Sequence, residues 1–462
     1  MQNTTEEDAY IVQSGYKPEL HRRLSTFASF AITFSVMSVL VGVFAVYSFT
    51  LQAAGPFGIW SWPIVVCGQL LIALVFAEMA GRIPLTGSIY NWNAKLGSPT
   101  LGWQAGWLIV FSYSVGGVAA IVALMTPLQS LLGITLSSTQ MQIWGAIIIL
   151  SQLIINIYGV KVAGQLNRLA VIIEIALISL LSVALVVLAA FHGNLNFSLV
   201  THIPTSPVPY WQGFLAGSLL GMLTLIGFES ASDVSEETIN ARSIAPRSIV
   251  RGVAFSGILG FIFIFILTII IPNVTQITAS SDPVSAIVGF YLGTAITKIF
   301  LACVVLAIFA ASLLIITYVS RLIFAVARDG RIMGSQHLGK VSSRGIPVSA
   351  AVLVAVVEIV ILIIAFGQVA LFATNAVLTA LVYLVTVINF WRANKKLPEN
   401  GTFSLGKWRK PVTIAAIIWL IFEVGILTLP KDFHPAAFLS IGVVVGGFIV
   451  QRIFGGKKNS TA

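Results

Sequence analysis

Five carboxylates sit among or at the ends of apolar runs: Glu78, Glu174, Glu229, Glu358 and Glu423. An acidic residue near the centre of a bilayer costs on the order of 2.5–3.5 kcal/mol on insertion scales, so it needs a partner or a task. Burial favours the protonated form, and a group that alternates between its two forms can take up and release a proton. Glu229 directly follows Gly227-Phe228 and could hold an ammonium group, brace an unwound segment or carry a proton. Glu174 stands six residues beyond Arg168, roughly 9 Å along a helix. That depth suits an ion or proton site, although a hydrogen-bonded structural role is equally open. Glu78 lies one turn before Arg82 and reads as its structural partner. No constellation supports Glu358 or Glu423.

Two stretches could surround a small solute. Ser35 to Phe44 puts small residues and one glycine in mid-run, and Gly221 to Ser230 puts glycine beside a carboxylate. Broken helices at matching positions of two repeats mark the binding site of many transporters, because unwound N–H groups face an anion and free carbonyls a cation. The candidate binding residues are Ser38, Val41, Gly42, Thr224, Ile226, Gly227 and Glu229, with Tyr113 and Asn375 from other runs. Glu174, Glu229 and Ser312 are the candidates for ion or proton coupling. Each glycine alone would equally serve close helix packing, and Ser112, Tyr113, Ser312, Thr374 and Asn375 would equally serve as interhelical glue.

The elements that must carry these residues follow from composition. The chain is 57% hydrophobic and 9% charged, with a mean hydropathy of +0.97. A soluble domain carries about a quarter charged residues, so 462 residues of this composition could not dress a soluble surface. Apolar runs of spanning length fall at 26–50, 58–80, 102–132, 141–159, 166–191 and 211–230. Six more fall at 248–272, 291–325, 347–366, 369–391, 411–429 and 435–453. An all-α polytopic membrane protein of twelve transmembrane helices is expected.

The net charge of +10 sits in short segments between the runs rather than on one basic domain, which excludes a nucleic-acid-binding reading. Basic residues gather in alternate segments, among them Arg22, Arg82, Lys95, Lys161, Arg168, Arg247, Arg328, Lys340, Lys395, Lys396, Arg409, Lys457 and Lys458. The opposite loops offer only Lys431, and 192–210 and 273–290 hold no Lys or Arg. This bias predicts that both termini are cytoplasmic in a multi-pass protein of the cell membrane. Lys298, just inside the eighth run, reads as a lysine that snorkels to the interface. The expected organisation is a cytoplasmic segment 1–25, a core 26–392, a loop 393–410, two helices in 411–454 and a tail 455–462. Cys67 and Cys303 give neither a disulfide framework nor a metal-ligand spacing, and no cofactor is implied.

Several spaced motifs carry a family likeness: Phe76 to Tyr90, Gly227-Phe228-Glu229-Ser230, Val234 to Thr238, Ala245-Pro246-Arg247, Ser320-Arg321, Ala327 to Gly330, and Phe403 to Trp408. With these, the chain resembles the amino acid–polyamine–organocation superfamily, and within it the branch of amino acid and choline permeases that includes GABA permeases. The resemblance implies a five-plus-five inverted repeat with broken helices 1 and 6, two further helices, and alternating access around a central site. The usual Gly-Ser-Gly of helix 1 aligns with Leu40-Val41-Gly42, and only its last glycine is kept. Glu174 falls near a helix-5 position where some relatives carry a lysine that fills a sodium site.

The expectation is proton-coupled uptake of a small amino acid, GABA-like or other, with sodium as the other possible coupling ion. An amine, choline or polyamine permease and an amino acid exchanger are the alternatives, and a nutrient sensor the remote one. No nucleophile–base set or metal cluster points to an enzyme.

Overall fold

Capping residues and glycines decide where the apolar runs become separate helices. The computed structural model describes residues 2–17, 20, 22–158, 160–203, 209–364, 368–393, 397 and 401–454. The expected tail 455–462, Lys395, Lys396, Lys457 and Lys458 lie outside the described residues, as does the Lys161 side chain.

After α1 (Gln2–Gln13), Ser25 caps α2 (Thr26–Val36), and Ser38 caps α3 (Val39–Ala54). There follow α4 (Ser61–Arg82), α5 (Ser88–Leu96), α6 (Pro99–Leu132), α7 (Ser138–Tyr158), α8 (Val160–Phe191) and α9 (Ser198–Thr201). Next come α10 (Tyr210–Gly217), α11 (Leu219–Thr224), α12 (Ser230–Asp233), α13 (Ala241–Ile269) and α14 (Val274–Ala279). The last are α15 (Pro283–Arg328), α16 (Ser335–Leu338), α17 (Val348–Ile364), α18 (Gln368–Arg392), α19 (Arg409–Thr428) and α20 (His434–Phe454). No strand occurs among the described residues, only one parallel bridge between Leu24 and Thr238.

By length and composition ten helical stretches can cross a membrane, and α17 is a shorter apolar helix of 17 residues. The stretch expected at 211–230 is not one helix: α10 and α11 end at Thr224, residues 225–229 are non-helical, and α12 is a single turn. The first stretch is also broken, at Met37-Ser38, one turn before the glycine that was expected to mark it. Gly42 itself is helical. The 46-residue α15 bends at Gly293, whose φ of 71° is non-helical, and Lys298 lies exposed just beyond that bend.

Helix α6 packs against α15 and α18 and forms the centre of the bundle. Many exposed side chains on α7 and α8 are large and apolar, as with Ile143, Ile147, Ile154, Leu180 and Val183, which suits a lipid environment. The interior holds two large apolar clusters. Their boundary falls between Met37 and Val39, between Tyr113 and Val115, between Leu225 and Phe228, and between Val377 and Leu378. Within about one turn of it lie Ser38, Gln69, Ser112, Glu174, Glu229, Ser312, Glu358, Asn375 and Glu423, all buried. A polar layer therefore crosses the bundle at the level of the two breaks.

Candidate functional site

Between the breaks lies a cavity of about 50 Å³. Of the expected binding residues, Ser38, Val41, Gly42, Tyr113, Thr224, Ile226 and Asn375 line it. Gly227 and Glu229 belong to the second break but are not on the lining. Apolar side chains, among them Val36, Leu223, Ile315 and Phe372, make up most of the remaining wall. Gly42 serves proximity: a Cβ there would stand 1.8 Å from Thr224 Oγ1, so only glycine lets α3 meet α11. Gly227 serves conformation as well, with φ at 83° and a built Cβ 2.3 Å from Val36 Cγ1.

The first break receives a carboxylate from outside. Glu174 on α8 accepts from Ser38 Oγ at 2.8 Å and from the Leu40 N–H at 3.1 Å. The Val41 N–H donates to Ser38 Oγ and the Gly42 N–H to the Ser38 carbonyl. Glu174 thus caps the N-terminus of α3, where the aligned peptide dipoles favour a negative charge.

The second break supplies its own carboxylate. Glu229 is fully buried, and its two oxygens accept from the hydroxyls of Tyr113 on α6 and Tyr383 on α18. The Tyr383 oxygen in turn accepts from the Gly227 N–H at 2.9 Å. Phe76 and Phe228 pack against the Tyr383 ring and exclude water from this cluster. Tyr383 was not anticipated. A signal existed in the polar residues Asn375, Thr379 and Tyr383, which recur at intervals of four along one face of α18.

Ser312 is set apart from Glu174 and Glu229: its hydroxyl accepts from Gln152 Nε2 of α7 at 2.6 Å. Asn375 reaches the cavity with its side-chain oxygen held by Ser112 at 3.0 Å. Glu78 pairs with Arg82 at 2.9 Å, as the spacing suggested, and also with Arg409. The N–H of Leu405 donates to Glu78 too, which docks the stretch 403–408 on the end of α4. Glu423, unpartnered in the sequence reading, accepts from Gln69 Nε2 at 3.0 Å and 3.1 Å.

On the face that carries the basic residues a second space of about 380 Å³ opens between α2, α8, α15 and α17. Asn167, Arg168, Glu237, Thr317, Arg321 and Ala351 are on its wall. Leu314 lines this vestibule and its chain neighbour Ile315 lines the cavity, so the same turn of α15 borders both spaces. The motifs read from the sequence converge around it: Arg321 pairs with Glu237, Arg328 with Glu236 at 3.2 Å, and Tyr90 donates to Asp329.

Apolar helices around a small cavity, walled by two helix breaks and backed by buried carboxylates, define a membrane carrier. A family model described as amino acid permease matches residues 24–450, and the chain belongs to that family. It is 27% identical over 460 residues to the amino-acid permease BAT1 of Arabidopsis thaliana, covering 92% of this chain and 88% of the plant protein. Amino-acid permease 2 of Neurospora crassa is 26% identical over 449 residues, covering 93% and 82%. The branched-chain amino acid permease BcaP of Lactococcus lactis subsp. cremoris is 27% identical over 334 residues, covering 67% and 69%.

Proposed function

We propose that this chain is a secondary active transporter that carries a small neutral amino acid across the cell membrane by alternating access, coupled to protons. The observation that carries the reading is the cavity between the two breaks. It is small, its wall is mainly apolar, and its polar groups are the uncharged Ser38, Tyr113, Thr224 and Asn375. A wall without formal charge suits a zwitterion whose two charges are met by polar groups and backbone. It suits a polyamine poorly, since Glu229 is already occupied by two tyrosines.

The same breaks support a core of two five-helix repeats over 26–392, followed by two helices in 411–454. The Lys and Arg bias supports cytoplasmic termini, so the vestibule faces the cytoplasm. Glu174 and Glu229 join the breaks to their neighbours through groups whose acceptor strength changes on protonation, which supports coupling to a proton.

A carboxylate-free amine is the second reading, because the N–H groups of Leu40, Val41 and Gly42 are satisfied from within the protein. Purified protein in liposomes, given a panel of labelled amino acids and amines with and without an inward proton gradient, separates the two. The expected result is gradient-dependent accumulation of small neutral amino acids and none of amines. Accumulation of amines alone would replace the first reading by the second. Uptake that ignores the gradient and needs preloaded solute would make the protein an exchanger.

A further inference from the structure

Glu358 of α17 is 1% exposed, and neither of its carboxyl oxygens has a hydrogen-bond partner. It differs in this from Glu78, Glu174, Glu229 and Glu423, each of which is held by named donors. Its Oε1 lies where a Cβ on Gly117 of α6 would come to 2.4 Å, so the oxygen rests against helix backbone. The helices packed on α17 bring it no counter-charge. Helices α6 and α7 contain no Asp, Glu, Lys, Arg or His, and Glu358 is the only such residue of α17. On α15, Arg321 is paired with Glu237 and Arg328 with Glu236, and Lys298 stands beyond Phe300 toward the far end of the helix. His337 of α16 packs near the other end of α17. The tyrosines of these helices are Tyr113, bound to Glu229, Tyr158 at the end of α7, Tyr291, which donates to the Ile270 carbonyl, and Tyr318.

An ionised carboxylate with neither donor nor cation in reach is too costly to hold in a dry interior, whereas the neutral acid is not. The surroundings also offer the proton a way in and out. Tyr318 lines the cavity and keeps its own buried hydroxyl without a partner. Ala351, two turns before Glu358 on α17, lines the vestibule, as does Leu314 on α15.

We propose that Glu358 is the site that holds the transported proton: it is a protonated carboxyl in the state seen here and gives the proton to water admitted from the vestibule. The acid O–H bond breaks, the proton passes to water, and the carboxylate stays behind until a proton from the opposite side restores the acid. This deepens the proton-coupled reading above and rests on it. The proton-holding group is then on α17, outside the cavity lining, and the carboxylates at the breaks respond to its charge.

Two measurements test it. Infrared difference spectra of wild type and E358Q in liposomes read the carbonyl band of a protonated carboxyl directly; the band is expected in wild type and absent in E358Q. Should E358Q fail to assemble, E358D keeps the acid and is expected to shift the band rather than remove it. Spectra without any difference overturn the proposal whatever the transport results. In the same liposomes E358Q is expected to keep exchange of labelled for unlabelled amino acid while losing gradient-driven accumulation at least tenfold. Accumulation by E358Q equal to wild type overturns the coupling role alone. A wild type that ignores the gradient instead overturns the coupled reading itself, and the role of Glu358 with it.

Discussion

The two helix breaks solve the same problem in opposite ways. At Met37-Ser38 the chain offers free N–H groups and a carboxylate comes from elsewhere, Glu174 of α8, to meet them. At 225–229 the chain offers a carboxylate of its own, Glu229, and hydroxyls come from elsewhere to meet it. The first break is therefore closed by a carboxyl group at a helix N-terminus, and the second by hydroxyls around a carboxyl group. In both, the charge of the glutamate is directed into the protein rather than into the cavity. On the proposed reading, solute and glutamates would then not compete for the same surface.

That contrast makes the breaks unequal under mutation, and the largest effect is expected at the second. Gly227→Ala imposes a side chain on a left-handed residue and drives it into Val36, which together cost about 2–5 kcal/mol. Uptake is expected to fall more than tenfold and the midpoint of thermal unfolding in detergent to drop; an unchanged midpoint would show that the second break needs no glycine. Next comes the first break. Glu174→Ala strips acceptors from the Ser38 hydroxyl and the Leu40 N–H, at about 2–3 kcal/mol, whereas Glu174→Gln keeps an acceptor oxygen and costs about 1 kcal/mol or less. Equal unfolding midpoints for the two variants would break the comparison, since the cap would then not depend on an acceptor. The smallest effect separates the two tyrosines. Tyr383→Phe loses contacts to both Glu229 and the Gly227 N–H, about 1–2 kcal/mol, and Tyr113→Phe loses one, about 1 kcal/mol or less. If Tyr113→Phe proves the more damaging in the same unfolding series, Glu229 is braced from α6 rather than from α18.

Much of this was legible before any coordinates. Among the described residues, ten of the twelve apolar runs lie in helices able to cross a membrane, because a membrane leaves the backbone few alternatives. The pairing of Glu78 with Arg82 followed from one-turn spacing. Gly227-Phe228-Glu229 located the second break, since glycine before a charge has few uses inside a span. The first break falls inside the stretch Ser35 to Phe44 but not at its glycine: Gly42 stays helical and allows an approach to Thr224, while the serine cap at Ser38 marks the interruption. The partners of the carboxylates were beyond reach for a different reason. Gln69 and Glu423, or Tyr383 and Glu229, are separated by 354 and 154 positions, and only the packing of helices places them together. The isolation of Glu358 is less legible still, since lacking a partner is a property of every neighbour at once.

One attachment on the basic face has a mechanical meaning. The strand-like stretch before α2 is fastened to the stretch after α12: the N–H groups of Arg23 and Leu24 donate to the Glu237 carbonyl, and that of Ile239 to the Leu24 carbonyl. The Arg22 guanidinium adds bonds to the carbonyls of Ser235 and Thr238 at 3.2 Å and 3.0 Å. A swing of α2 that left α12 behind would have to release all of them, on the order of 5 kcal/mol at about 1 kcal/mol each. At that cost the lone swing is visited roughly once in several thousand attempts, while a joint swing of the two half-helices forfeits none of these bonds. If the proposed alternating access moves these half-helices, they would be yoked like paired leaves of one door, and the timing of one would set the timing of the other.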